Sequence, residues 1–298
     1  MLNNRDMYTL RTLIILFCSI IPVIGVDAQS PVNIWQGTAV HKRVLLTPFL
    51  AEGNNNPCII VCPGGSYFWH DTQTEGVEVA RWLQSEGISA FVLNYRTAYV
   101  PAFIFHTRLF FRGNQYPDPQ NDLQKAIAFV KDHAELYQVD TTKVGAMGFS
   151  AGGHLVMSVA EMYDSPRTRP DFVASIYPVV SFTAECTHKR SRRGLLGEYK
   201  KNKAKYRNAL SLEKNVPEDC PPVFLMNCVD DPVVDFRNSI LLDSALTAKN
   251  ICHKYIQYQT GGHGFGASNR KGTAECRMWK SEFVKWLQEV LINKENSK

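Results

Sequence analysis

The sequence predicts an α/β protein, a single domain built on a mostly parallel central sheet with helices on both faces. Three observations point to it. Short apolar runs alternate with amphipathic segments along the chain. Most of the runs are continuously apolar rather than alternating, as strands covered on both faces are. The residues suited to chemistry follow directly after the runs, where the C-terminal ends of parallel strands gather ligands.

The expected strands are Cys58–Cys62, Ala90–Asn94, Val144–Phe149, Phe172–Tyr177, Val223–Asn227 and Lys254–Tyr258. In Asp122–Tyr137 the residues Leu123, Ile127, Val130 and Ala134 share one helical face. A last helix, Glu275 to Ile292, aligns Trp279, Phe283, Trp286, Leu287 and Val290 in the same way. No linker or repeat divides the chain, so the catalytic domain is expected over 29–298.

Composition excludes several classes. Of 298 residues, 45% are hydrophobic and 20% charged, which is globular rather than disordered or fibrous. The net charge of +5 is mild. Its one cluster, His188 to Arg193 with Lys200, Lys201, Lys203 and Lys205, reads as a solvated loop and helix, and no nucleic-acid partner is expected. Residues 1–28 have the order of a secretory signal peptide: Arg5 and Arg11, the apolar stretch Leu13–Ile24, then Val26-Asp27-Ala28. The stretch is short for a membrane anchor, the alternative reading. A secreted or periplasmic protein without stable membrane insertion is therefore expected. Seven cysteines follow the leader. Cys58, Cys62 and Cys228 sit in apolar runs as small hydrophobes, while Cys186 and Cys220 are candidates for a bridge that sequence cannot assign.

After the strand ending near Phe149 comes Gly148-Phe149-Ser150-Ala151-Gly152-Gly153. This G-x-S-x-G pattern between a strand and a helix is a nucleophile elbow. A sharp turn pushes the serine hydroxyl out, and side chains at 148 and 152 would collide. The following helix, His154 to about Tyr163, aims its positive end at Ser150, and the Ala151 N–H is placed to bind an oxyanion. His154 reads as a packed, hydrogen-bonded histidine. Earlier, Ile59–Cys62 runs into Pro63-Gly64-Gly65-Ser66-Tyr67, a second source of oxyanion donors. The Gly65 N–H is the expected donor, with Ser66 next; Ser66 and Tyr67 are the candidate substrate-binding residues.

Asp230 and Asp231 follow the strand Val223–Cys228, where an acid that orients a base belongs. The Asp-Pro-Val-Val pattern favours Asp231. Asp230 is the fallback, and Asp235 is better suited to a helix N-cap. His263 lies in Gly261-Gly262-His263-Gly264-Phe265-Gly266, exposed among glycines after a strand. The order Ser150, Asp231, His263 is that of the α/β-hydrolases. In the expected chemistry His263 takes the Ser150 proton, Asp231 fixes the imidazole, and no metal or organic cofactor is needed.

These motifs resemble those of secreted bacterial carbohydrate esterases of the acetylxylan-esterase type, related to feruloyl-esterase-like members. The resemblance rests on Gly148 to Leu155, Pro63-Gly64-Gly65, Asn94-Tyr95-Arg96 and Gly261 to Gly266. Tyr177-Pro178-Val179 and His188 to Gly197 also fit, so it spans nearly the whole chain after the leader. It implies an α/β-hydrolase fold and removal of acetyl groups from a plant polysaccharide such as xylan, making an acylated carbohydrate the expected partner. One stretch departs from the family pattern. Val100 to Tyr116, with Phe103, Phe105, Phe110 and Phe111, is long and rich in aromatics and arginine. It either shapes the acyl or sugar pocket or packs as a hydrophobic lid. Two other readings stay open: an exopeptidase-like α/β-hydrolase and a non-catalytic ligand-binding relative.

Overall fold

The computed structural model describes residues 30–39, 42–105 and 113–296. The expected leader lies outside the described residues, as do Phe110 and Phe111. In chain order the elements are β1 (Val32–Asn33), β2 (Leu45–Phe49), β3 (Asn56–Cys62), a π-helical turn (Gln73–Val77), α1 (Glu78–Ser85), β4 (Ser89–Leu93), α2 (Tyr99–Phe105), α3 (Asp118–Asp132), α4 (Ala134–Tyr137), β5 (Val139–Phe149) and α5 (Ala151–Glu161). There follow β6 (Val173–Ile176), α6 (Lys189–Lys200), α7 (Ala204–Ala209), β7 (Val223–Cys228), α8 (Arg237–Ala248), β8 (His253–Tyr258), α9 (Ala274–Arg277) and α10 (Trp279–Asn296).

The strands form one eight-stranded sheet in the order β1-β2-β4-β3-β5-β6-β7-β8. β1 and β2 pair antiparallel, as do β2 and β4; every later pairing is parallel. This is the mostly parallel sheet that the alternating pattern predicts, in the α/β-hydrolase architecture that the resemblance implies. The register aligns Val61 with Met147, Met147 with Ala174, and Ala174 with Phe224.

Alternation along the strands divides the core into two layers. Ile60, Cys62, Ala146, Val173 and Leu225 face α3, α5 and α8, meeting Leu123, Ile127, Leu155, Val159 and Leu242. Ile59, Val61, Met147, Ala174 and Phe224 face α1 and α10, meeting Val79, Leu83, Trp279, Phe283 and Trp286. Because both faces are covered, neither can be polar, which explains the continuous apolar runs.

Differences from expectation have local causes. β1 is a two-residue edge strand and β2, beside it, is short and mostly half-buried. The helix expected over Asp122–Tyr137 begins at Asp118-Pro119 and breaks at His133, which leaves helical geometry and donates from Nδ1 to the Phe129 carbonyl at 2.8 Å. The last helix divides at Met278, after a short turn capped by Thr273, whose hydroxyl accepts the Cys276 N–H at 3.2 Å. Cys186 and Cys220 are not bridged; all seven described cysteines are free. Cys186 follows the C-terminal end of β6 and Cys220 precedes the N-terminal end of its parallel neighbour β7, so the sheet holds them at opposite ends.

The Asn94-Tyr95-Arg96 segment is part of the scaffold. Arg96 donates from Nε to both oxygens of the buried Asp122 at 2.9 Å, and from its backbone N–H to Oδ2 at 2.8 Å. Trp35 Nε1 adds a bond to Oδ1 at 2.8 Å, tying the N-terminal segment to α3. A buried ion pair satisfied this fully repays part of the desolvation it incurs. Among the described residues no helix is long and apolar enough to cross a membrane.

Candidate active site

Ser150 stands at the junction of β5 and α5 with φ 55° and ψ −115°. The strain is held by its surroundings. Its N–H donates to Ile176 O at 2.9 Å, and its carbonyl accepts from the N–H groups of His154 and Val179, each at 3.2 Å. The flanking glycines are steric requirements. A Cβ on Gly148 would lie 2.1 Å from Gly152 O, and one on Gly152 would lie 2.0 Å from Cys62 O. Every residue of α5 is buried, so the helix behind the serine is fixed on all sides.

His154 is a packed core histidine. Its Nε2 donates to Leu210 O at 3.0 Å, so Nδ1 accepts from the Tyr67 hydroxyl at 2.8 Å. Its ring stacks on Phe182 at 4.6 Å. Burial pushes its pKa down to about 4, so it stays neutral. This arrangement corrects the expectation for Tyr67. That side chain is 1% exposed and its hydroxyl is committed to His154, so it belongs to the core and not to a substrate-facing surface.

The loop after β3 is held at several points. Pro63 O accepts from the Tyr95 hydroxyl at 2.6 Å, Gly64 N–H donates to Glu75 Oε2 at 2.7 Å, and Gly65 O accepts from Phe68 N–H at 3.0 Å. Gly65 adopts φ 133°, and a Cβ there would sit 2.1 Å from Trp69 O. Among the described residues the Gly65 and Ala151 N–H groups donate to no protein acceptor. Ser66 is 3% exposed, and its hydroxyl accepts from Arg190 Nε at 2.9 Å. Arg190 also lies 5.7 Å over the Trp69 ring.

Thus the arginines of the basic cluster are not the solvated residues expected. Arg192 donates to Phe182 O at 2.9 Å and Arg193 to Phe103 O at 2.6 Å, where unpaired carbonyls attract guanidinium groups. Lys189, Lys203 and Lys205 are exposed. Arg193 also lies over the Phe68 and Phe103 rings, at 5.0 and 5.4 Å. Phe103 of α2 packs 5.3 Å from Phe68, while Tyr99, Ile104 and Phe105 are each more than half exposed. In the described part of the aromatic stretch, Phe103 therefore covers the loop after β3, Phe105 is largely exposed, and Tyr116 packs against the core.

Asp231, at the end of β7, keeps its side chain 1% exposed. Its Oδ1 accepts from the N–H groups of Val233 and Val234 at 2.7 and 2.9 Å, and its Oδ2 lies 2.6 Å from His263 Nδ1. Asp230 instead accepts from the N–H groups of Gly261 and Gly262 at 3.2 and 2.8 Å, so it supports the histidine loop from below. Asp235 accepts the Arg237 N–H at 2.9 Å at the start of α8, the capping role its position suggests. With Nδ1 engaged by Asp231, Nε2 is the ring nitrogen left for Ser150. No direct Ser150–His263 hydrogen bond forms among the described residues. Such contacts commonly tighten only when substrate is bound.

The elbow and the histidine loop converge on a residue with no motif to announce it. Glu75 is 3% exposed; its Oε1 accepts from the Tyr177 hydroxyl at 2.9 Å and its Oε2 from Gly64 N–H at 2.7 Å. A Cβ built on Gly64 would lie 2.6 Å from Glu75 Oε2 and 2.9 Å from Ser150 Cβ, so carboxylate and serine flank one point. The Tyr177 ring lies 4.7 Å from that of His263. Burial raises the Glu75 pKa, against the opposing pull of His263, Tyr177 and Gly64. The pKa of His188 is lowered to about 4 by burial and then by Arg190 and His263. The sequence signals for Glu75, Arg190 and the Tyr95 hydroxyl are weak, because each acts across the fold. Tyr177 and Tyr95 each stand just past a strand end, where such residues are sought.

Gly261 sets the base of the histidine loop. Its φ is 152°, and a Cβ would meet Cys228 Sγ at 2.6 Å and Cys276 Sγ at 2.7 Å. A hydrogen bond from the Cys228 thiol lowers the pKa of Cys276. Gly261→Ala is expected to displace His263 and lower kcat for p-nitrophenyl acetate by about 10- to 100-fold, while the far-ultraviolet circular dichroism stays native. Unchanged kcat would show that the loop absorbs the clash. Among the described residues no group of three or more His, Cys, Asp or Glu is placed to hold a metal ion.

The chain has recognisable relatives among known proteins. The BD-FAE family model matches residues 47–246. An acetylxylan esterase of Xylanibacter ruminicola is 33% identical over 244 residues, covering 80% of this chain and 47% of that protein. Endo-1,4-beta-xylanase B of Butyrivibrio fibrisolvens is 32% identical over 222 residues, covering 71% of this chain and 33% of that protein. The chain thus spans a third to about half the length of these curated relatives. The crystal structure of an acetyl ester-xyloside bifunctional hydrolase from Caldicellulosiruptor lactoaceticus superposes with a TM-score of 0.75 at 31% identity, covering 88% of this chain and 96% of that one. With the family model spanning most of the sheet and its helices, the chain belongs to the BD-FAE family of α/β-hydrolases.

Proposed function

We propose that the protein is a serine carboxylesterase that removes acyl groups, acetyl foremost, from a plant polysaccharide such as xylan. The observation that carries the reading is the arrangement of Ser150, strained at an elbow between two glycines, with the His263–Asp231 pair held at 2.6 Å on the neighbouring strand ends. Similarity to an acetylxylan esterase and an acetyl ester-xyloside hydrolase supports acetylated glycan as the substrate class. The charged, apolar and small-residue segments of residues 1–28 support export.

In this mechanism Ser150 Oγ attacks the ester carbonyl carbon while His263 Nε2 takes the hydroxyl proton. The tetrahedral oxyanion is held by the N–H groups of Gly65 and Ala151, with the α5 N-terminus adding its positive end. Asp231 keeps the proton on His263 Nδ1 and stabilises the imidazolium. As the C–O bond breaks, His263 returns the proton to the departing sugar oxygen. A water, deprotonated by the same imidazole, then attacks the acyl-enzyme, releasing acetate and restoring Ser150.

Product analysis tests the reading. The purified protein is expected to release acetate from acetylated xylan faster than ferulate from a feruloylated glycan, and to leave an amino-acid anilide intact. Preference for the anilide would instead identify an exopeptidase, and no turnover of any of the three would favour the non-catalytic reading.

A further inference from the structure

The two loops that would surround the reacting carbonyl leave distant strands: the glycine loop follows β3 and the histidine loop follows β8, with β5, β6 and β7 between them. Sheet pairing alone does not set their separation, because each loop projects several residues beyond its strand. Glu75 and Tyr177 join them directly. Glu75 Oε2 accepts the Gly64 N–H at 2.7 Å, and Oε1 accepts the Tyr177 hydroxyl at 2.9 Å. The same Tyr177 oxygen accepts the Gly266 N–H at 3.0 Å. One chain of three hydrogen bonds thus runs from the glycine loop to the histidine loop.

We propose that Glu75 is a positioning residue for ester hydrolysis, acting with Tyr177 to lock the oxyanion donors and the imidazole at a fixed separation. The inference rests on the serine esterase reading. Both Glu75 oxygens act as acceptors and neither donates, which is the pattern of an ionised carboxylate. Through its bond to the hydroxyl, Glu75 holds the Tyr177 ring, which packs 4.7 Å from the ring of His263.

Glutamine cannot reproduce these bonds. An amide presents one acceptor and two donors, so it can keep the Gly64 bond only by donating to the Tyr177 oxygen, which leaves the Tyr177 proton without its acceptor. Phenylalanine at 177 keeps the ring beside His263 and removes only the hydroxyl link.

The test compares wild type, Glu75→Gln, Tyr177→Phe and the double variant on p-nitrophenyl acetate. Each single variant is expected to lower kcat by about 10-fold or more with little change in KM, because positioned donors act mainly in the transition state. The double variant is expected to be no worse than the poorer single one, since one chain broken twice is lost once. Additive losses, a raised KM with kcat unchanged, or wild-type kcat in Tyr177→Phe would overturn the proposal. If Glu75→Gln does not fold, the Tyr177→Phe kcat decides. Ser150→Ala serves as the reference: if it stays active, the esterase reading fails, whereas an inactive Ser150→Ala beside wild-type-like Glu75→Gln and Tyr177→Phe enzymes sinks only this inference.

Discussion

Ser150→Ala is expected to lower kcat for p-nitrophenyl acetate by about three orders of magnitude or more, with the protein still folded. The methyl group of alanine fits a site where Ser150 is 4% exposed and its backbone is held by Ile176, His154 and Val179. What disappears is the oxygen that becomes covalently acylated, and no second nucleophile stands at the elbow. The oxyanion donors survive, so a residual rate above that of water is expected. A pre-steady-state burst of p-nitrophenol in wild type, absent in the variant, would report the acyl-enzyme directly. Equal rates for the two proteins would end the serine mechanism.

Asp231→Asn should also be severe, about four orders of magnitude in kcat, because an amide at this position stabilises the wrong imidazole tautomer. The carboxylate now accepts three bonds: two backbone N–H groups on Oδ1 and the His263 ring on Oδ2. With Oδ1 retained by Val233 and Val234, the new amide nitrogen faces His263 Nδ1 as a donor. The ring must then accept there and carry its proton on Nε2, where it cannot take one from Ser150. Asp230→Asn is the control. Its loss weakens two bonds to Gly261 and Gly262 without touching the ring, so about a 10-fold effect is expected. A reversal of this order, measured as kcat for the two variants, would exchange their roles.

The parts of this architecture visible in the sequence are those with local signatures. The elbow glycines are required by contacts within a few residues or with the adjoining strand, so Gly148-Phe149-Ser150-Ala151-Gly152 announces its own geometry. The continuous apolar strands reflect two covered faces, a property that each strand displays by itself. Glu75 had no such signature. It lies in an ordinary amphipathic segment, and its partners Gly64, Tyr177 and His263 come together only through the tertiary fold. Tyr67 failed in the opposite sense: adjacency to the glycine loop suggested a substrate contact, but φ 64° turns its side chain inward to His154. The basic cluster misled because charge count says nothing of direction. Its arginines reach inward to carbonyls and to Ser66, while Lys189, Lys203 and Lys205 remain in water. The expected helices over 122–137 and 275–292 were found, but their interruptions at His133 and Met278 depend on single-residue conformations that periodicity does not resolve.

The strand order also decides what turnover can report. On the proposed mechanism the serine follows β5, between β3 and β6, while the imidazole follows β8, the outermost strand on that flank. A sheet lacking that outer strand would carry a serine without the imidazole needed to activate it. Ester cleavage is therefore a signal that the sheet is intact out to its edge.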